Sequence, residues 1–183
     1  FAQELPVQKL VTVQHHKAHV ASVLADREAW DRRVIGLAFD GTGYGDDGAI
    51  WGGECFVGSL REGLMRIAHL RPAVLPGGEA AAKVPVQALA GFLADRIHWA
   101  QEMGEKLHLP KRYFSAIKLV EKELHTYPTT SMGRLFDAVA ALLGFFDEIS
   151  FEGQAAMWLE YVASRAPLKK RYPFPWEDRK SVV

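Results

Sequence analysis

A single cysteine, a balanced charge and the lack of long apolar runs limit what this sequence can be. Because Cys55 is the only cysteine among 183 residues, neither an intrachain disulfide nor a cysteine-based zinc site can form, and we expect Cys55 to be buried and inert. Basic and acidic residues number 22 each, so no net field would attract nucleic acid or an anionic membrane. No apolar stretch approaches the roughly 20 residues of a transmembrane helix, and no signal peptide is visible. The composition predicts a soluble, cytoplasmic protein with no nucleic-acid or membrane partner.

Three histidines stand close together where a β-type run over residues 10–13 gives way to a helical pattern. They are His15, His16 and His19. On a helix, His15 and His19 lie one turn apart on the same face, so both imidazoles can reach one cation. Neutral imidazole suits zinc, iron and similar ions. The spacing predicts half of a metal site, although such pairs also occur on exposed helix surfaces without a ligand.

A glycine-rich turn follows the next β-type run. Residues 34–39 are apolar, the turn begins at Asp40, and a second β-type segment comes after it. Glycine lets backbone N–H groups approach an anion, but the same residues also suit a plain hairpin connection. The turn fits neither the P-loop nor the dinucleotide fingerprint, since no Lys-Ser/Thr pair or helix follows it. Turn chemistry alone favours the hairpin.

Five motifs, in a fixed order, give the sequence a family resemblance. They are His-His-Lys-Ala-His from His15, Phe-Asp-Gly-Thr-Gly-Tyr-Gly-Asp-Asp-Gly from Phe39 with Trp-Gly-Gly-Glu from Trp51, His-Leu-Arg-Pro from His69 with Leu-Pro-Gly-Gly from Leu75, Thr-Ser-Met-Gly-Arg-Leu-Phe-Asp from Thr130, and Phe-Glu-Gly-Gln-Ala-Ala from Phe151. From about His15 to Glu160 the sequence resembles the HypF carbamoyltransferases, maturation factors for nickel-iron hydrogenases. More distantly it is similar to the tRNA threonylcarbamoyltransferase TsaD and to antibiotic O-carbamoyltransferases. The resemblance implies an α/β fold, namely part of an actin-like ATPase (ribonuclease H-like) domain with a mixed sheet and helices.

The resemblance also implies a metal site. His15 and His19 match the two ligands of a His-x-x-x-His motif, whereas His16 matches no ligand and is expected to be a supporting or core residue. The family's third ligand, a carboxylate near the C-terminal end of its domain, has no counterpart in this sequence. The implied cofactor is a divalent metal, iron or zinc, which two histidines alone would hold weakly.

A nucleotide, ATP or carbamoyladenylate, is the second implied ligand, and three separate segments match residues around it. The segment against the adenylate phosphate is matched by Asp40, Gly41, Thr42, Gly43 and Tyr44. The turn that closes over the nucleotide in TsaD-like relatives is matched by Glu152, Gly153 and Gln154. The acid that contacts the ribose is matched by Asp137, and we expect the three segments to line one cleft.

Helical periodicity alone assigns Asp137 a different place. The apolar stripe of Leu135, Val139, Leu142 and Phe146 is the predicted core face of its helix. Asp137 lies off that stripe, so periodicity predicts a solvated side chain.

The resemblance implies a two-stage reaction in the whole enzyme. Carbamoyl phosphate and ATP give carbamoyladenylate in another domain, and the present domain then passes the carbamoyl group to the C-terminal cysteine of HypE, towards the cyanide ligand of the hydrogenase iron. No catalytic residue is assigned in this sequence, because the attacking thiolate comes from the partner, and we expect this chain alone to be inactive. A non-catalytic actin-like nucleotide-binding lobe and a TsaD-like enzyme acting on tRNA are the alternatives. The zero net charge and the Trp-Gly-Gly-Glu motif favour HypF over TsaD.

Hydrophobic periodicity predicts a mixed structure in a piece of a longer protein. Strands are predicted at 10–13, 34–39, 49–57 and 65–70, and helices at 17–30, 80–96, 114–124, 133–145 and 153–166. The sequence starts at Phe1 without methionine and ends on a basic, proline-interrupted segment. We expect residues 1–166 to be part of a TsaD-like carbamoyltransferase domain, and residues 167–183 to be a linker or the start of the next segment.

One segment departs from the family pattern. After Pro-Gly-Gly the family has an acidic-Pro-aromatic-basic sequence such as Glu-Pro-Trp-Arg, but residues 79–87 clearly keep only Pro85. Gln87 stands where the family has a basic side chain suited to phosphate or carboxylate, and an amide cannot supply that charge. We therefore expect no charged ligand contact from position 87.

Overall fold

The computed structural model describes residues 9–167, apart from the side chain of Glu79, and shows a mixed α/β architecture. Within this range the helices are α1 (His15–Asp26), α2 (Glu79–Lys83), α3 (Pro85–Phe92), α4 (Ile97–Lys106), α5 (Lys111–Glu121), α6 (Met132–Leu142) and α7 (Gln154–Arg165). The strands are β1 (Val34–Tyr44), β2 (Ile50–Ser59), β3 (Gly63–His69), β4 (Ala73–Pro76) and β5 (Thr126–Thr129).

The strands form one mixed sheet. β1, β2 and β3 follow one another as an antiparallel meander. β5 pairs in parallel with the start of β2, where Ile50 is opposite Thr129, and antiparallel with β4. The register of β1 shifts between Phe39 and Gly43. Because such a bulge takes residues out of the ladder and bends the strand, residues 40–42 are free to face other partners.

Two hydrophobic clusters pack the helices against one another and against the sheet. In the first, Val20 and Leu24 of α1 meet Ala38, Trp51 and Phe56 of β1 and β2. The second cluster joins α3, α4, α5 and α6 through Val86, Leu89, Ala100, Tyr113, Ile117, Ala138 and Ala141. The first cluster fixes α1 beside β1, which brings its first turn close to the bulge.

A buried carboxylate joins the sheet to the segment before α6. Glu54 is 1% exposed and accepts hydrogen bonds from the N–H groups of Gly52 and Gly53, from the Thr130 hydroxyl, and from Arg66 Nε at 2.6 Å. Burial raises the pKa of Glu54, but these donors outweigh it and hold the pKa below its usual value. The Trp-Gly-Gly-Glu motif is therefore structural in this fold, since it fixes the chain just before α6.

Several predicted elements differ from the structure. Residues 10–13 do not form a strand; Leu10, Val11 and Val13 are exposed, and no strand in the described part of the chain pairs with them. The predicted helix over 80–96 is divided at Pro85, which cannot donate within a helix interior but suits the first turn of α3. Periodicity does not predict α4, β4 or β5; the two strands have four residues each, and each contains a proline.

The buried face of α6 is not the predicted one. Leu142 and Phe146 are 42% and 39% exposed, whereas Asp137 is 2% exposed. α6 packs on α3 through the small side chains of Ala138 and Ala141, which allow the two helices to approach closely. The stripe of Leu135, Val139, Leu142 and Phe146 as the core face, and the solvated Asp137, are both wrong predictions.

Three further expectations concern exposure and boundaries. Cys55 is only partly buried in β2, so its predicted burial is wrong. None of the helices in residues 9–167 has the length and apolarity required to cross a membrane. Most of the predicted linker, residues 168–183, lies outside the described residues.

Candidate metal centre and nucleotide cleft

His15, His19 and Asp40 converge on one point beside the first turn of α1. His15 Nε2 lies 3.1 Å from His19 Nε2 and 2.7 Å from Asp40 Oδ2, and His19 Nε2 lies 3.3 Å from the same oxygen. One ligand atom from each residue lies within 4.8 Å of the other two. The predicted convergence of the two histidines is confirmed, and the structure adds a carboxylate to them.

The donor set of this cluster fits a divalent cation. An imidazole Nε2–H can donate to only one acceptor, yet His15 Nε2 lies close to both a carboxylate oxygen and a second imidazole nitrogen. A cation among the three side chains would instead accept a lone pair from each. Two histidines and one carboxylate suit iron or zinc and leave coordination positions open.

The local backbone explains how Asp40 reaches the histidines. The bulge in β1 turns Asp40 out of the ladder, and the N–H of Gly41 donates to Asp40 Oδ1 at 2.6 Å. At Gly43, a Cβ would lie 2.4 Å from His16 Cε1 and 2.9 Å from His15 Cδ2, so only glycine allows the two segments to approach. Partial burial raises the pKa of Asp40, but hydrogen bonds from His15 and Gly41 outweigh it, and the net pKa lies below its usual value.

His16 is a buried support for this arrangement, as expected. Gln14 caps α1 by accepting from the N–H of Lys17, and its Nε2 donates to His16 Nδ1 at 3.0 Å and to the carbonyl of Tyr44. Burial lowers the pKa of His16, which favours the neutral ring. His16 Nε2 lies 3.9 Å from Asp40 Oδ2, beyond a hydrogen bond. Gln14 and His16 therefore fix the start of α1 against the end of β1.

A cleft of about 270 Å³ lies next to the cluster and draws on the three segments assigned to the nucleotide. The residues of those segments that line it are Asp40, Gly41, Asp137, Glu152 and Gly153. The shared cleft is thus present for five of the predicted residues. The others lie elsewhere, since Thr42 lines a different cavity, Gly43 contacts the histidines, Tyr44 is exposed, and Gln154 accepts hydrogen bonds from Ser150.

Asp137 and Arg134 form a buried ion pair in this cleft. Arg134 Nε lies 2.6 Å from Asp137 Oδ2, although the pair is not aligned as a hydrogen bond. Burial raises the pKa of Asp137 to about 6, and Arg134 only partly offsets that effect. The carboxylate is therefore ionised at neutral pH and can accept hydrogen bonds from hydroxyl groups.

Gln87 lies behind the Pro-Gly-Gly turn. Its buried side chain donates to the carbonyl of Pro76 at 3.1 Å and accepts from Arg112 Nε at 3.1 Å. A Cβ on Gly77 would lie 2.8 Å from Gln87 Nε2. The amide therefore braces the turn from inside the protein.

Sequence reasoning missed two residues of this site, the Asp40 carboxylate as a possible ligand and Arg134. The resemblance assigns Asp40 to the phosphate segment, and its approach to the histidines depends on the packing of α1 against β1. An acid at the end of an apolar run, followed by glycine, was a usable signal for Asp40. No pattern in the sequence pointed to Arg134.

Comparisons with known proteins identify relatives of this chain. Residues 36–183 match the family described as the carbamoyltransferase Kae1-like domain, second subdomain. The chain is similar to carbamoyltransferase HypF2 of Cupriavidus necator, with 41% identity over 84% of this chain and 19% of the relative. It is also similar to carbamoyltransferase HypF of a Synechocystis species, with 36% identity over 97% of this chain and 25% of the relative.

A solved structure agrees with these relatives. The chain superposes on full-length HypF in its phosphate- and nucleotide-bound form with a TM-score of 0.77 and 44% identity, covering 87% of this chain and 21% of that one. The expected actin-like, ribonuclease H-like fold is therefore confirmed. The chain spans about a fifth to a quarter of the length of these relatives.

Proposed function

The chain belongs to the HypF carbamoyltransferase family, and on that premise we propose that it forms part of the site where a carbamoyl group passes from carbamoyladenylate to a cysteine. The proposed acceptor is the C-terminal cysteine of HypE. Carbamoyladenylate is made from carbamoyl phosphate and ATP elsewhere in the full-length gene product, and the product serves cyanide-ligand synthesis for nickel-iron hydrogenases.

The proposed transfer replaces one bond at the carbamoyl carbon by another. The acceptor thiol first loses its proton to solvent, because the thiolate is the nucleophile. Its sulfur then bonds to the carbamoyl carbon, the carbon–oxygen bond to the phosphate breaks, and the electron pair leaves with AMP. The site must therefore hold the adenylate and stabilise negative charge on the carbonyl oxygen and on the leaving phosphate.

His15, His19 and Asp40 are the proposed metal-binding residues. A bound divalent ion of iron or zinc would supply Lewis-acid polarisation. The chain itself keeps the three ligand atoms within 4.8 Å of one another and holds Asp40 in place through the Gly41 N–H. The neutral, buried His16 adds no positive charge next to the cation.

The cleft beside this cluster is the proposed place of the adenylate. Asp137 would accept hydrogen bonds from ribose hydroxyls, while the backbone of Asp40 and Gly41 would face the phosphate. Gly153 directly precedes α7, has a φ of +79° and lines the cleft, so the turn at Glu152 can close over the ligand.

The convergence of His15, His19 and Asp40 is the single observation that carries this proposal. A lobe that only bound nucleotide would not require two imidazoles at this point, because the Mg²⁺ that accompanies nucleotides prefers oxygen ligands. An enzyme acting on tRNA has no support from the named relatives, which are HypF proteins.

Ligand substitutions in the full-length gene product test the proposal. In His15→Ala, His19→Ala and Asp40→Asn, we expect metal content to fall at least about tenfold, because the remaining ligands cannot close the site. Labelled carbamoyl transfer to the HypE cysteine should fall with it, while ATP–pyrophosphate exchange with carbamoyl phosphate persists. Metal analysis and the two assays, run side by side, check this.

Asp46→Asn is the matched control, because Asp46 is an exposed acid of the same segment that pairs with Lys17 at 2.9 Å. It should keep both metal and transfer. Full transfer in a His15→Ala, His19→Ala double variant would refute the metal's role. Loss of both half-reactions together would contradict the proposed division between domains.

A further inference from the structure

A second, larger cavity adjoins the proposed site but is not part of it. It has a volume of about 660 Å³, within the range of roughly 300–1,000 Å³ that is usual for ligand pockets. Its walls come from the β1 bulge, the Pro-Gly-Gly turn and β5, represented by Gly41 and Thr42, Gly77 and Gly78, and Tyr127. None of the proposed metal ligands lines this cavity, and neither does Asp137 or Glu152.

Gly41 and Arg134 line both the large cavity and the nucleotide cleft. Gly41 directly follows Asp40, whose carboxylate meets the two histidines. A molecule in the large cavity would therefore lie on the other side of the β1 turn from the proposed carbamoyladenylate, whose carbon–oxygen bond to the phosphate is broken in the transfer. This is the position required of a second substrate.

Arg134 brings the N–H donors of its guanidinium to the cavity, although it is paired with Asp137. Its side chain is 13% exposed and Asp137 lies at its Nε, whereas no other side-chain partner of Arg134 is found among residues 9–167. A guanidinium carries five N–H donors in a planar fork that matches a carboxylate in a two-pronged arrangement. The cavity can thus bind one carboxylate group.

The remaining walls are largely apolar and firmly held. Ile50, Leu75 and Ala82 line the cavity together with Tyr127. The Gly77–Gly78 turn is braced from behind by Gln87, and both glycines have positive φ, +81° and +57°. Besides Arg134, His125 is the other basic side chain of the lining. Two such groups among largely apolar walls suit an apolar peptide end with a single carboxylate better than a polyphosphate, which needs several cations.

We propose that this cavity binds the carboxy-terminal residues of the acceptor protein, with the terminal α-carboxylate on Arg134 and the cysteine thiol directed past Gly41 towards the cleft. The inference rests on the proposed function for the nature of the acceptor. A carboxylate anchor would select a cysteine at the very end of a chain over internal cysteines.

Synthetic peptides and the full-length gene product test this inference. The probe is an apolar seven-residue peptide that ends in cysteine, either with a free carboxylate or as the amide. We expect the free acid to have a kcat/KM for carbamoylation at least about tenfold above that of the amide. In Arg134→Gln the ratio of acid to amide should fall to about one, because the discriminating charge is gone.

Ala82→Trp is a second variant, which fills the cavity without touching the metal residues or the nucleotide cleft. It should raise KM for the free-acid peptide at least about fivefold, with metal content and ATP–pyrophosphate exchange unchanged. The conservative Arg134→Lys should recover part of the preference for the acid, since lysine keeps the charge but not the fork.

Binding of a fluorescent peptide in which serine replaces the cysteine separates the inference from the proposed function. If the protein binds the free-acid peptide more tightly than the amide, and this preference depends on Arg134, the cavity assignment is supported. If the same protein shows no carbamoyl transfer, the proposed function is refuted. Equal use of acid and amide in an active enzyme would overturn the cavity assignment alone. A third outcome is that millimolar phosphate or AMP displaces the peptide, and that this displacement is not seen in Ala82→Trp. That result would also overturn the cavity assignment, and it would identify the cavity as an anion or nucleotide site.

Discussion

Asp40 divides its side chain and its backbone between two ligands. The carboxylate lies against His15 and His19, while the neighbouring backbone lines the cleft assigned to the adenylate. The family resemblance assigns the whole turn to the phosphate, because a sequence motif does not show which way a side chain or a backbone N–H group points. In the structure, the metal and phosphate would be held by opposite sides of one turn.

The pH dependence of nucleotide binding should report on Asp137. Burial raises the pKa of this carboxyl to about 6, so it is ionised above that pH and protonated below it. If the ionised form accepts the ribose hydroxyls, nucleotide affinity decreases as the pH falls from 7 to 5, by about tenfold from this group. In Asp137→Asn the contribution of this group disappears.

Nucleotide titrations of the unaltered protein and of Asp137→Asn at pH 5, 6 and 7 check this. Other titrating groups affect both proteins equally, so they cancel in the ratio of the two nucleotide affinities. Asp147→Asn, at an exposed acid outside the cleft, should behave like the unaltered protein. A ratio that does not change with pH would show that the ionised Asp137 carboxylate takes no part in binding.

At the scale of elements, local patterns predicted the parts of the fold that depend on neighbouring residues. The histidine spacing predicted one face of α1, and the apolar run at 34–39 predicted most of β1. The face of α6 was mispredicted because Ala138 and Ala141 pack on α3, a contact between distant segments that outweighs helical periodicity. β4 and β5 depend on pairing with each other, which no local pattern shows. Asp40 and Arg134 belong to the same class, since their partners in the site come from other elements.

Gly133 determines how closely α6 approaches the β1 bulge. A Cβ at this position would lie 2.7 Å from Gly41 Cα, and a backbone atom cannot move aside as a side-chain tip can. The Ser131 hydroxyl donates to the Gly41 carbonyl at 2.6 Å in the same contact. We expect Gly133→Ala to cost about 1–3 kcal/mol of local stability and to lower metal content, because the turn that carries Asp40 must shift.

Gly41→Ala is the control on the other side of this contact. Its Cβ would meet only Glu152 Oε1, at 3.8 Å, which is ordinary van der Waals contact. Hydrogen exchange of the α6 and β1 segments measures the local stability, and metal analysis measures occupancy. Equal effects of the two substitutions would show that the close approach of Gly133 is unimportant.

At the scale of the whole molecule, one face of the sheet is apolar and open. Ile35, Leu37 and Phe39 of β1 and Met65 of β3 are 71%, 63%, 61% and 63% exposed. The strand register places these four residues on one face, with Val57 between Ile35 and Met65, while the opposite face of β1 and β2 packs on α1. A contiguous apolar patch of this kind marks a surface that another part of an assembly covers.

The open face should behave differently in the 183-residue chain and in the full-length gene product. The chain spans 19–25% of the length of its named relatives, which have further segments available to cover the face. In the 183-residue chain alone, Leu37→Thr with Met65→Thr should reduce self-association and dye binding to exposed apolar surface, because threonine keeps the strand propensity and removes the apolar patch.

In the full-length gene product the same pair should instead lower the unfolding temperature, since buried apolar contacts are lost. Light scattering, dye fluorescence and thermal unfolding measure these effects, with Leu124→Thr plus Met157→Thr as a control at exposed apolar residues away from the face. An unchanged unfolding temperature in the full-length gene product would show that the face stays open to solvent there.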